Sequence, residues 1–183
     1  MKRDVLIVDD DAFTRQGIAS YLETLDYVPR TAGDAQTGWQ MAVERPPQTA
    51  VIDIRLPLTP EDSVTPPTAA NGISLAKRLK HTFPRVAIVL LSAHAQFERE
   101  VAQLAPHFAG SIAFLHKGGD MQRLHHALQE VTAGRTVFQS EIVNPFMLEA
   151  AVRVHLDPAE RYWVDQALSE FDRLSPREKE IAY

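Results

Sequence analysis

The sequence contains no cysteine. That excludes disulfides, a thiolate metal site and a cysteine nucleophile. No apolar run approaches the roughly 18–20 residues that a membrane span requires. The first residues do not read as a secretory leader. The basic start Met1-Lys2-Arg3 leads into Val5-Leu6-Ile7-Val8, which meets acid at once in Asp9. With no leader and no span, the expected location is cytoplasmic. Positive charge is in short supply. The 19 Lys and Arg face 24 Asp and Glu, a formal net charge of −5, so the chain has no electrostatic reason to bind nucleic acid or a membrane. The 7 histidines fall at no metal-ligand spacing. His125-His126 reads as one exposed and one half-covered helical residue, and there are no internal repeats.

What is present is an alternation of strand and helix patterns in a chain of 183 residues that is 45% hydrophobic, ordinary for a globular protein. Residues 5–8 form a continuous apolar run, suited to a strand covered on both faces. Ile18, Tyr21, Leu22 and Leu25 then share one helical face. A short strand over 27–31 is followed by Asp34, which can cap a helix carrying Ala35, Trp39, Ala42 and Val43 inward. Pro46-Pro47 stops that helix, and residues 49–54 are the third strand. Residues 58–71 are rich in Pro, Thr and acid, lack periodicity and read as a loop, far longer than the usual connection of about 2–6 residues. Gly72 precedes a helix with Ile73, Ala76 and Leu79 on one side. Residues 86–91 are the most apolar run and belong at the centre of a sheet. A weaker helix with Phe97, Val101 and Leu104, a fifth strand over 111–115 and a helix capped by Asp120 complete five βα units. Residues 135–139 read as a short extended piece, and amphipathic helical patterns around Met147–Val154 positions and at Val164, Ala167, Leu168 and Phe171 follow.

Five βα units in series imply a parallel sheet with helices on both faces. In such sheets functional groups gather beyond the C-terminal strand ends. Those ends carry Asp9 and Asp10, Asp53, Ser92 and Lys117. Clustered carboxylates raise one another's pKa unless a cation neutralises them, and an all-oxygen donor set without Cys or His suits Mg²⁺. A carboxylate oxygen can attack phosphorus to give an acyl phosphate, with Mg²⁺, Lys117 and Ser92 each facing one phosphoryl oxygen. Asp53 would then be both metal ligand and nucleophile. Asp11 reads as a helix cap outside the site.

Val8-Asp9-Asp10, Asp53-Ile54-Arg55-Leu56-Pro57, Leu90-Leu91-Ser92-Ala93 and Phe114-Leu115-His116-Lys117-Gly118 together resemble the receiver domain of two-component response regulators, over about residues 1–135. Leu174-Ser175-Pro176-Arg177-Glu178-Lys179-Glu180 resembles the opening of the helix-turn-helix output domain of the NarL/LuxR family, and Ser-Pro-Arg-Glu is also a capping box. The resemblance implies a flavodoxin-like (βα)5 α/β fold, doubly wound around a parallel sheet of strand order 2-1-3-4-5. A helical linker over 136–173 and the start of a truncated output domain over 174–183 would follow. It implies that Asp53 is phosphorylated by a partner histidine kinase. Asp9 and Asp10, with Asp53 and the main-chain carbonyl of Arg55, would hold Mg²⁺. Ser92 and Lys117 would sense the phosphoryl group, and Phe114 would be the switch aromatic. Such a chain is no enzyme toward a separate substrate, but a phosphoacceptor that catalyses its own phosphorylation and dephosphorylation. The face made by the fourth helix, fifth strand and fifth helix, or the linker helices, would carry homodimerisation. DNA binding would need the missing output module.

Two departures stand out. The glycine that matches the family's, Gly72, lies much further beyond Pro57 than usual, so 58–71 is an insertion beside the phosphorylation site. Gly118 stands where the family usually has proline. Arg55 and His94, two residues after Asp53 and Ser92, are placed to shape water access and so phosphoryl lifetime. A receiver that acts by protein contact without phosphorylation is the alternative, and the full acidic set with Ser92 and Lys117 argues against it. A haloacid-dehalogenase-type hydrolase would carry a second Asp two residues after the nucleophile, where this chain has Arg55.

Overall fold

The computed structural model describes residues 3–64, 70–94, 97–108 and 111–138. The linker helices and the 174–183 segment lie outside these residues. The elements are β1 (Arg3–Val8), α1 (Ala12–Glu23), β2 (Tyr27–Ala32), α2 (Ala35–Glu44), β3 (Thr49–Asp53), α3 (Asn71–Thr82), β4 (Ala87–Ser92), α4 (Glu98–Leu104), β5 (Ile112–His116), α5 (Met121–Thr132) and β6 (Val137–Phe138). The sheet is wholly parallel, in the order β2-β1-β3-β4-β5-β6. The expected 2-1-3-4-5 core is there, and β6 adds a sixth strand to its β5 edge. The fold is a flavodoxin-like, doubly wound α/β sheet. Among the described residues no helix is long and apolar enough to cross a membrane.

The uninterrupted apolar runs are explained by burial on both faces. Every residue of β3 and of β4 is buried, and these two strands occupy the middle of the sheet, as the sequence predicts for residues 86–91. Alternate residues feed two separate layers. Leu6, Val8, Ala50, Ile52, Ile88, Leu90 and Phe114 pack under α2, α3 and α4. Val5, Ile7, Val51, Val89, Leu91 and Leu115 pack under α1 and α5. The period of two along each strand is what splits one run between two cores.

Three helices start on acidic caps. Asp11 accepts from the Phe13 N–H at 2.9 Å, Asp34 from Thr37 at 2.7 Å and Asp120 from Gln122 at 2.9 Å, each satisfying an orphan donor of a first turn. Val43, expected inward on α2, is 52% exposed. The stripe facing the sheet is Ala35, Gly38 and Ala42 instead, and it leaves Val43 turned to solvent.

The 58–71 insertion also differs from a plain loop. Residues Pro60–Val64 form a short 3-10 helix. Asp62 accepts from both the N–H and the hydroxyl of Thr59 at 3.0 Å, so Thr59-Pro60-Glu61-Asp62 folds on its own cap with Pro at the first helical position. Both ends of the insertion are tied to the scaffold. Ala35 and Gln36 donate to the carbonyls of Pro57 and Leu58 at 3.0 Å. Across the neck, the Asn71 side chain donates to the Leu56 carbonyl at 2.8 Å and the Gly72 N–H to Ile54 at 3.0 Å. Gly72, already inside α3, has no room for a side chain: a Cβ there would lie 1.8 Å from the Asp53 carbonyl oxygen. This close approach lets α3 begin directly against the end of β3 despite the inserted residues.

Candidate functional site

The parallel register brings the strand ends together. Asp53 pairs with Leu91, and Ser92 with His116. The Ile54 N–H donates to Leu91 at 2.9 Å and the Lys117 N–H to Ser92 at 2.8 Å, so the ladder continues one step past each strand. The expected residues Asp9, Asp53, Ser92 and Lys117 therefore meet at one rim, with Asp10 beside them.

Asp9, Asp53 and Ser92 are only 1%, 5% and 1% exposed, whereas Asp10 is exposed. Single carboxylate oxygens of Asp9, Asp10 and Asp53 all lie within 4.8 Å of one another. The Lys117 ammonium reaches over them. It donates to Asp53 Oδ2 at 2.6 Å and lies 2.9 Å from Asp9 Oδ2. The second contact is an ion pair without hydrogen-bond geometry, so buried Asp9 Oδ2 has no hydrogen-bond partner. Asp9 Oδ1 accepts from the Asp11 N–H at 2.9 Å, and Asp53 Oδ1 from the Arg55 N–H at 3.2 Å.

Burial is the dominant electrostatic effect. It raises the Asp9 carboxyl above its ordinary value against the opposing pull of Lys117. It raises Asp53 to about 6, again against Lys117 and with help from the Asp9 charge. Burial alone would lower Lys117, but its hydrogen bond to Asp53 and the charges of Asp53 and Asp9 outweigh this and raise it. One ammonium cannot neutralise three carboxylates. The surplus negative charge, the all-oxygen donor set and the buried Asp9 Oδ2, ion-paired but not hydrogen-bonded, fit a hard divalent cation.

The remaining expected residues are placed as follows. The Ser92 hydroxyl donates to the His94 carbonyl at 3.0 Å and accepts from the His94 N–H at 2.9 Å. Phe114 is fully buried, and its ring meets His116 edge-on at 5.3 Å. The Arg55 guanidinium lies 5.7 Å from the centre of the Phe97 ring. Asp11 is the α1 cap and no part of the cluster. Two supports escaped the sequence reading. The Arg15 guanidinium donates to the Asp9 carbonyl, and Asn71 anchors the loop after β3. They reach back six and fifteen residues to main-chain carbonyls, and no local pattern marks them.

A parallel α/β fold with buried carboxylates and a lysine converging at its strand ends defines a receiver-type protein. The chain belongs to the response regulator receiver domain family, whose family model matches residues 5–129. It is similar to the transcriptional regulatory protein MctR of Rhizobium johnstonii, 27% identical over 97% of this chain and 70% of MctR. It is also similar to the photosynthetic apparatus regulatory protein RegA of Cereibacter sphaeroides, 31% identical over 69% of this chain and 61% of RegA. Among solved structures, the receiver domain of NtrX from Brucella abortus superposes with a TM-score of 0.57 at 24% identity, covering 71% of this chain and 98% of that domain.

Proposed function

We propose that this chain is the phosphoacceptor of a two-component signalling pair, taking a phosphoryl group onto Asp53 from a partner histidine kinase. The observation that carries this reading is the buried Asp53 carboxylate, held by Lys117 at 2.6 Å inside an acidic cluster at the strand ends. An oxygen of Asp53 forms a new bond to phosphorus while the donor's bond to phosphorus breaks. The donor leaves with the bonding electron pair, and an acyl phosphate results. Asp9, Asp10, Asp53 and the Arg55 carbonyl would hold Mg²⁺. Bound there, Mg²⁺ would neutralise the cluster and the charge of the transferring group.

Lys117 has a second role in this reading. Before transfer it holds Asp53 against the cost of burial, and afterwards its charge faces a phosphoryl oxygen. Ser92 supplies a hydroxyl to the same group once it leaves His94, and Phe114 answers on the strand beneath. Arg55 and His94 govern the approach of water, hence the lifetime of the acyl phosphate.

The output is transcriptional control of NarL/LuxR type. The Leu174–Glu180 positions support this, as does likeness to MctR, a transcriptional regulatory protein. The regulatory step is a change in homodimerisation through the α4–β5–α5 face or the linker over 136–173. The test is acetyl phosphate with Mg²⁺, followed by intact mass. The wild type should gain one phosphoryl group, while Asp53→Asn should gain none. Equal uptake by both would overturn the assignment.

A further inference from the structure

The sixth strand places the chain's exit against the strand that serves the pocket. Helix α5 ends at Thr132, and Gly134 just beyond its cap takes a left-handed φ of 81°. There the Gly134 N–H donates to Val131 at 3.1 Å and the Arg135 N–H to Glu130 at 2.9 Å. The Arg135 guanidinium also grips the Glu130 carboxylate, one of the two bonds being 2.6 Å. The chain is thereby turned back along the sheet, and Val137 and Phe138 pair in register with Ala113 and Phe114 of β5. Val137 packs on the core layer under α1 and α5, and Phe138 on the layer under α2, α3 and α4. The strand straddles both layers, yet it is only two residues long and both are half-buried.

β5 has the pocket at its other end. Lys117 follows it directly, with its N–H on Ser92 and its ammonium on Asp53 and Asp9. We propose that the outer edge of β5 is the docking site for the chain's own exit segment, residues 135–138, and that the phosphoryl state of the pocket sets whether β6 stays paired there. The proposal rests on the phosphoacceptor reading of Asp53. A phosphoryl group on Asp53 gives Lys117 new oxygen partners and draws the Ser92 hydroxyl from His94. Both groups sit on the joined ends of β4 and β5, so re-engaging them shifts β5 against its neighbours. The Phe114–Phe138 pair receives that shift, Phe114 lying on β5 three residues before Lys117. The two-residue β5–β6 ladder is the shortest among the described strands, and short segments at a sheet edge open first. Release of β6 frees the edge of β5 and the root of the linker together.

The test is amide exchange on the whole chain, with and without beryllofluoride and Mg²⁺, with ¹⁹F NMR reporting bound fluoride. Exchange over 135–138 should quicken by about tenfold when beryllofluoride binds, while residues 124–131 of α5 stay unchanged. Exchange over 135–138 within about twofold of the free protein, with fluoride bound, overturns the proposal. So does equal quickening of α5, which would mean general loosening. Absence of bound fluoride defeats the Asp53 reading itself, a different failure. Phe138→Ala supplies a second arm. It should exchange fast at 135–138 without beryllofluoride and, by reciprocity, reach half-saturation at about threefold less of it. An unchanged half-saturation point, with β6 released, contradicts the coupling.

Discussion

Each central strand of this sheet holds two kinds of residue. In the middle of β3 and β4, Ala50, Val51, Ile52, Ile88, Val89 and Leu90 are all apolar and 0% exposed. At the ends of the same strands, Asp53 and Ser92 are buried almost as deeply. Burial stabilises the first group, at roughly 25 cal/mol per Å² of apolar surface. It works against the second, because an ionised carboxylate loses water that one lysine replaces only in part. The strand middles hold the ends in a place those ends would not choose. A charge that resists burial is also one that gains from a bound cation or from conversion to another group.

The sharpest way to break this division is to exchange the roles of neighbours. Asp53→Asn should cut phosphoryl uptake by about a hundredfold or more while the protein stays folded. Ile52→Ala should do the reverse. It should cost about 3 kcal/mol in denaturant unfolding but leave uptake by the folded fraction unchanged. Loss of uptake in folded Ile52→Ala protein would erase the distinction between middle and end.

Gly72 sits where the two regions join. Gly72→Ala forces a methyl into the Asp53 carbonyl, which α3 can relieve only by moving. The expected cost is about 3 kcal/mol, read by thermal or denaturant unfolding, with weaker uptake because the β3 end moves with it. A neutral Gly72→Ala would mean that the insertion's neck is not pinned to β3.

A smaller effect concerns charge alone. Asp53 is raised from 3.8 to about 6. A raised folded pKa means that the favourable contribution is fully present below about pH 4 and is lost as pH climbs through 6. Asp53→Asn should therefore be more stable than wild type by about 1–2 kcal/mol at pH 8, less than the full shift because Lys117 loses a partner. The gain should vanish near pH 4. Unfolding curves at the two pH values check this, and a variant less stable at pH 8 would show that the lysine pairing outweighs desolvation. By the same protonation, Mg²⁺ affinity should fall as pH drops below 6, measurable by calorimetry.

The division between middle and end also explains what the sequence made legible. Apolar runs that stop at Asp9, Asp53, Ser92 and Lys117 announce both strands and rim, since a carboxylate cannot continue a run buried on both faces. Asp34 and Asp120 announce their helices for the same local reason. Features that depend on distant partners were silent. Val43 turns outward because α2 settles on Gly38, and Arg15 and Asn71 act on carbonyls elsewhere in the chain. β6 is too short for its period to register beyond an extended piece. The 3-10 helix at Pro60 was legible and missed: Thr59-Pro60-Glu61-Asp62 has the same cap, proline and acid as Ser175-Pro176-Arg177-Glu178. The orientation of the Ser92 hydroxyl, bonded within its own turn, is set by the fold alone.

The most direct measurement concerns which aspartate carries the phosphoryl group. Treating the acetyl phosphate-labelled chain with borohydride reduces an aspartyl phosphate to homoserine, and peptide mapping then locates it. A single homoserine at position 53, absent when Mg²⁺ is chelated, is the predicted result. Homoserine at position 9 or 10, with Asp53 recovered unchanged, would contradict the assignment of the phosphoacceptor.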